Sequence, residues 1–245
     1  FERLLGQSLE RFFFDWTERS GHPVVTVATT HQPADGLVRV EVTQDQKGEP
    51  FEFPLQVELP VPGRSEPVRV ELLVNEKKQV VFVPVPSRPA QVRVDPRFSL
   101  LAELKEKKSR SWWQVQLAKA PSVPERLRAV EHFGRGRSSA DVGLLVKSLE
   151  QDPFYGVREA AAATLGRRRG DAARKALLAG LDKQVQPSPF VRRACAKALG
   201  SFSRDAKVAG ALRKRWDEGD PSYRVEAAVL ASLTRVQPQT LAMLK

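Results

Sequence analysis

The sequence predicts a two-part β + α protein, a small β-sandwich over residues 21–96 followed by an α-helical repeat solenoid over residues 97–245. Three observations lead there. Apolar residues alternate with polar ones at period two between residues 24 and 94. A segment in the second half recurs at an offset of 34 residues. The charge also changes sign: residues 1–96 hold 11 Lys/Arg against 14 Asp/Glu, and residues 97–245 hold 29 against 15. The shift falls at Asp95-Pro96, where the domain boundary is placed. The whole chain, 245 residues at a formal charge of +11, has length for one large domain or two ordinary ones.

Residues 1–20 precede the strands. Leu9, Phe12, Phe13 and Trp16 fall on one side of a helix, a pattern that by default marks a core-facing stripe. Gly21-His22-Pro23 then turns the chain into the first strand.

The strand runs start at Val24–Val27 and continue through Val38–Val42, Phe51–Leu59, Val68–Leu72, Val81–Val85 and Val92–Val94. Each has one apolar face and one wet face, so a second sheet is needed to cover them. Ala34-Asp35-Gly36, Gln46-Lys47-Gly48, Pro62-Gly63-Arg64 and Asn75–Lys78 supply the turns. Pro54 and Pro84 cannot donate to a ladder and belong at edges or bulges. Trp112-Trp113 lie in the connector after a charged stretch; packing is expected of them ahead of stacking on a base or sugar.

In the second half, Val157–Gly166 recurs as Val191–Gly200 and again as Val225–Leu233, with a weaker earlier copy at Arg126–Gly134. Between copies lie second helices at Asp141–Leu149, Ala172–Leu181 and Asp205–Trp216. Two helices per unit with small residues on one face make a solenoid. The Leu-Gly ends are expected as left-handed C-caps. Asp152-Pro153 and Asp220-Pro221 are expected as helix starts, Asp capping and Pro in the first turn.

Several classes of chemistry lack material. One cysteine, Cys195, excludes an internal disulfide or multi-cysteine metal site, and it aligns with Ala161 and Val229 as a small packed residue. His22, His31 and His132 have no metal-ligand spacing. No apolar run reaches the ~20 residues of a membrane-spanning helix. The sequence begins at Phe1 with no signal-peptide pattern, and is expected to be a piece of a longer protein. The basic half reads as solvated helix faces with acids interleaved, so nucleic acid is not an expected partner. Within it, Arg167-Arg168-Arg169 is the best candidate for a phosphate or acidic contact. No catalytic, cofactor-binding or metal-ligating residue is assigned.

Asp152-Pro153, Val157-Arg158, Ala160-Ala161 and Leu165-Gly166 give the repeat a resemblance to HEAT repeats over residues 125–245. In that family an Asp and an Arg commonly pair between successive units. Only the unit at 152–166 keeps both residues at that spacing; Gln186 and Glu226 stand where the next unit's Asp and the third unit's Arg would be. An unbroken ladder is therefore not expected.

Leu9, Phe12, Phe13, Trp16, Gly21, Pro23 and Val27 resemble the end of the catalytic domain of the aminopeptidase N family of zinc metallopeptidases. That resemblance implies a β-sandwich and then a helical domain behind it, the order predicted above. It implies that residues 1–20 are the terminal helix of an upstream catalytic domain, which would be the partner of this chain. It also implies that the helical domain closes over the peptide cleft and can offer a cation to a peptide carboxylate. Arg158, Arg192 and Arg224 stand at helix starts and are read first as structural. The family's His-Glu-x-x-His zinc motif is absent, so zinc is expected in the missing domain only and this chain is expected to be inactive. The alternative reading is a basic HEAT-like adaptor for protein or nucleic acid.

Overall fold

A computed structural model describes residues 2–6, 8–136 and 138–237, and divides between Val115 and Gln116 into two compact units. In the first unit, α1 (Glu2–Leu5) and α2 (Glu10–Phe13) precede a π-helical turn at Phe14–Glu18. The strands are β1 (Val24–Gln32), β2 (Leu37–Gln44), β3 (Phe53–Leu59), β4 (Val68–Val74), β5 (Lys78–Pro84), β6 (Arg93–Val94) and β7 (Glu103–Lys107).

They form two sheets, ordered β5-β2-β1-β7 and β4-β3-β6. The period-two alternation is realised directly: Val38, Val40 and Val42 of β2 and Phe53, Leu55, Val57 and Leu59 of β3 are all buried in one shared core. Pro84 ends the edge strand β5. Pro54 lies in the central strand β3, but β6 reaches only Val57 and Glu58, so β3 has a single neighbour at Pro54.

The β unit does not stop at Asp95-Pro96. Asp95 adopts φ +46° and its buried carboxylate accepts from the Ser99 and Leu100 amides, at 2.9 and 3.2 Å. That turn leads into β7, which pairs parallel with β1 from Val24↔Glu103 to Ala28↔Lys107. The charge shift is thus not a structural boundary. β7 carries four charged residues around Leu104, and as an edge strand it has little apolar content to betray it.

The N-terminal aromatic stripe faces the core at Trp16 but not at Phe12 and Phe13. Phe12, Phe13 and Phe14 are about half exposed (53%, 50% and 45%), while Asp15 is buried. The Asp15 carboxylate accepts from Arg11 at 3.0 Å, Arg19 at 2.9 Å and the Glu52 amide at 2.9 Å. Trp16 packs on Phe51 with ring centroids 5.7 Å apart. The segment is therefore held to the sheets by its polar side, which leaves three phenylalanines outward.

The second unit follows within α3 (Arg110–Lys119) and comprises α4 (Val123–Arg135), α5 (Ser139–Gln151), α6 (Tyr155–Arg168), α7 (Asp171–Ala179), α8 (Pro189–Leu199), α9 (Ala206–Glu218) and α10 (Tyr223–Val236). The recurring segments are α4, α6, α8 and α10, stacked in one row, and α5, α7 and α9 form the second row. The expected helix starts at Asp152 and Asp220 fall early. Their side chains accept from the amides two residues on, both at 2.9 Å, and the helices begin at Tyr155 and Tyr223.

The Leu-Gly glycines are not left-handed caps. Gly200 has φ −60°, and Gly166 lies inside α6. They are needed for close approach instead. A Cβ on Gly166 would come within 2.8 Å of Ala198 Cβ and 2.9 Å of its Cα on α8, and one on Gly200 within 2.9 Å of Ser232 Oγ on α10. Gly134 meets Thr164 of α6 in the same way. Gly143 on α5 has open space around it. Gly166→Ala should therefore destabilise the helical unit by about 1 kcal/mol or more through overpacking. Gly143→Ala should stabilise it by about 0.5–1 kcal/mol through helix propensity alone. Thermal unfolding of the two variants checks the opposite signs.

Candidate functional site

The arginines at the helix starts have different jobs. Arg192 is buried and grips Asp220 of the next unit with two bonds of 2.9 Å, while its Nη1 donates to the Gln186 and Pro187 carbonyls. Arg126 does the same one register earlier, bonding Asp152 at 2.8 and 3.3 Å and the Ala120 and Pro121 carbonyls. Arg158 keeps only the carbonyl half, donating to Asp152 and Pro153. The carboxylate position opposite it is Gln186, whose amide nitrogen bonds the Leu149 carbonyl; Arg158 Nε and Gln186 Oε1 have no partner. The ladder is broken at that junction, as the sequence indicates. Its first rung, Arg126–Asp152, was hidden by an offset of 32 in place of 34.

Burial alone would raise the Asp220 carboxyl, but the Arg192 guanidinium and the Ser222 amide hold it below the ordinary carboxylate range. Asp205, the N-cap of α9, is likewise lowered, chiefly by its 2.8 Å bond with Arg174. Cys195 is fully buried, and burial pushes its thiol up to about 12, which removes it as a nucleophile.

The connector tryptophans are also internal. Trp112 joins the core of the sheets and donates from Nε1 to the Pro89 carbonyl at 2.9 Å, and Trp113 is buried beneath Lys108. Neither offers a face to a ligand. His22 is exposed and His31 half-buried; among the described residues no three His, Cys, Asp or Glu side chains gather as a metal-binding group. No helix among them is long and apolar enough to cross a membrane.

Of the arginine triplet, Arg168 donates to the Ser138 carbonyl at 2.8 Å and so ties down the preceding unit. Arg167 and Arg169 are exposed and line a groove of about 530 Å³ between α6 and α8 with Glu159 and Lys197. Lys197 also lines a second groove, about 550 Å³, between α8 and α10. That groove carries Arg193, Lys197, Arg224 and Arg235 over a floor of Ala227, Ala228, Ala231 and Ser232, with no acid among its described lining residues. A smaller recess of about 250 Å³ adjoins it, formed by Pro189, Phe190, Arg193, Ser222, Tyr223 and Arg224. Of the helix-start arginines, Arg224 alone is exposed.

Aromatic rings continue the recess. Tyr155 stacks on Phe190 at 5.1 Å and meets Phe154 at a tilt, with centroids 4.8 Å apart, and Tyr223 is 71% exposed. Arg193 and Arg224 lie about 6 Å from the Phe190 and Tyr223 rings. Sequence reasoning did not find this cluster. Its signal was present: one aromatic in the first turn of three of the four recurring helices, at Tyr155, Phe190 and Tyr223.

Comparison with known proteins fits this architecture. HEAT repeats match residues 144–233. The fold is similar to Legionella pneumophila aminopeptidase A, solved in complex with aspartic acid, with a TM-score of 0.65 at 12% identity. That similarity covers 99% of this chain and 35% of the Legionella chain, so the chain spans about a third of that protein. Partial similarity extends to human deoxyhypusine hydroxylase, at TM-score 0.46 and 24% identity over 51% of this chain and 42% of that one. It extends also to the CpcE–CpcF complex of phycocyanin lyase from Nostoc sp., at 0.45 and 24% over 56% and 57%. No curated protein matches the sequence.

The Arg192–Asp220 clamp predicts an acid response. The folded carboxyl lies below its unfolded value, so its contribution is complete above roughly pH 4 and is lost as pH falls through the folded value. Asp220→Asn should lower stability at neutral pH by about 3 kcal/mol, leaving a buried guanidinium unpaired, and should flatten the loss below pH 4. Urea unfolding across the acid range reads both. Gln186→Asp should have the reverse effect, giving Arg158 Nε its missing acceptor and stabilising the unit by about 1 kcal/mol. An unchanged or lower midpoint would show that Arg158 does not complete the rung.

Proposed function

We propose that this chain is the noncatalytic C-terminal part of a zinc metalloaminopeptidase, shaping the peptide cleft of a catalytic domain that precedes it. The observation that carries this reading is the order of parts: a two-sheet unit and then a helical repeat, similar along 99% of the chain to one third of an aminopeptidase. The Leu9–Trp16 motif supports it from the other end. Phe12, Phe13 and Phe14 face outward on a segment whose polar side is anchored to the sheets, and an upstream domain would cover them.

The residues present do not fit a zinc site, since no metal-binding group forms among those described, and no step of peptide cleavage is assigned to this chain. Its role in the reaction would be steric and electrostatic: walls that limit the substrate and cations that attract its carboxylates.

The test has two arms. The chain by itself should show no zinc-dependent hydrolysis of aminoacyl nitroanilides, and activity at stoichiometric zinc would overturn the domain assignment. The coding sequence upstream of Phe1 should encode His-Glu-x-x-His with a downstream glutamate. An upstream frame lacking any metallopeptidase motif would overturn the parentage.

A further inference from the structure

We infer that the α8–α10 groove with its aromatic recess is a docking site for an extended acidic segment of another protein, carrying one aromatic anchor residue. This inference stands apart from the aminopeptidase reading and does not need it.

Charge complementarity selects the occupant. Four cations line the groove without a carboxylate among its described residues, and of the four Arg193 is ion-paired outside it, at 3.0 Å from Glu159. Arg224 meets nothing stronger than the Tyr223 hydroxyl, at 3.1 Å. Like charges held on facing helices repel one another until anions arrive. The floor is alanine methyls, which leaves a trough that a peptide backbone can enter closely. Tyr223, Arg193 and Arg224 are residue types that dominate binding energy at protein interfaces, and here they surround one recess with Phe190, a type enriched at such interfaces.

A nucleic acid strand fits less well. Its phosphates repeat at every nucleotide and need a continuous cationic track. Toward α6 the face continues into the groove where Glu159 stands, and the Arg193 guanidinium is partly neutralised there.

Fluorescence anisotropy of the full chain tests this with a labelled Asp/Glu-rich peptide of about twelve residues containing a single Trp, and with a Trp-free version. Binding should weaken between about 50 and about 300 mM salt. The double reversal Lys197→Glu/Arg224→Glu should reduce affinity about tenfold or more. The equal reversal Lys175→Glu/Lys207→Glu, on the other row of helices, should change it less than about twofold. All four side chains are exposed, so unchanged unfolding midpoints are expected. Tyr223→Ala should weaken the Trp-bearing peptide and leave the Trp-free one unaffected. Equal losses from the two double reversals would overturn the site, since diffuse charge would then explain binding. Absence of salt-dependent binding would overturn it too. Tighter binding of oligouridylate, lost in the Lys197→Glu/Arg224→Glu variant, would assign the groove to nucleic acid and overturn the peptide proposal.

Discussion

The closeness of α6, α8 and α10 governs the rest of the helical unit. Helices that touch through glycine, alanine and serine leave no room for a Cβ at Gly166 or Gly200, so neighbouring backbones are fixed at one distance. With large residues at those contacts, the row would spread and the helix-start loops would separate. The Arg192–Asp220 and Arg126–Asp152 rungs need those loops within the reach of one guanidinium fork. The small-residue contact therefore comes first, and the buried ion pairs work as registry locks upon it. Buried pairs of this kind cost desolvation, and here each guanidinium recovers it by bonding two carbonyls of its own loop as well as the next unit's carboxylate.

The same constraint makes the outward face. Side chains on the exposed side of α8 and α10 descend into a shallow trough because the residues between them are alanines. Arg193, Lys197, Arg224 and Arg235 are then brought to one groove although they lie up to 42 positions apart in sequence. The basic excess of the second half is consequently not spread evenly as a solvated coat. Part of it is internal, at Arg126 and Arg192, part ties loops together, at Arg168 and Arg174, and part is gathered on the α6–α8–α10 face, at Arg167, Arg169, Arg193, Lys197, Arg224 and Arg235.

What the sequence made legible follows from which signals are local. The period of 34 and the alternation of β2 and β3 are properties of neighbouring residues, and they place helices and strands correctly. The reason for Gly166 was misread because two mechanisms, a positive φ and a close approach, produce the same letter, and only the partner helix tells them apart. β7 was missed because Glu103–Lys107 has one apolar residue, and its pairing with β1 is decided 79 residues away in sequence. Phe12 and Phe13 read as inward because an aromatic stripe normally is. The buried carboxylate of Asp15 turns the segment around, and a single acidic letter carries no such warning. The groove was overlooked because its aromatics belong to separate repeats and meet only when the helices stack.

Asp15 shows how the two ends of the chain use one physical device. A carboxylate taken out of water must be met by donors, and Asp15 collects two arginines and an amide, as Asp220 collects Arg192 and the Ser222 amide. In the helical unit this fixes one repeat against the next. In the β unit it fixes a helical segment against the loop before β3, with Arg19 lying 3.8 Å over the Phe51 ring. Both uses spend charge on position and leave apolar or cationic surface facing out, at Phe12–Phe14 in one unit and at Phe190–Tyr223 with its arginines in the other. The chemistry of those two surfaces differs. Three half-exposed phenylalanines whose neighbouring Arg11 is already paired with Asp15 suit a packed domain contact, whereas aromatics ringed by arginines suit a ligand that brings its own negative charge.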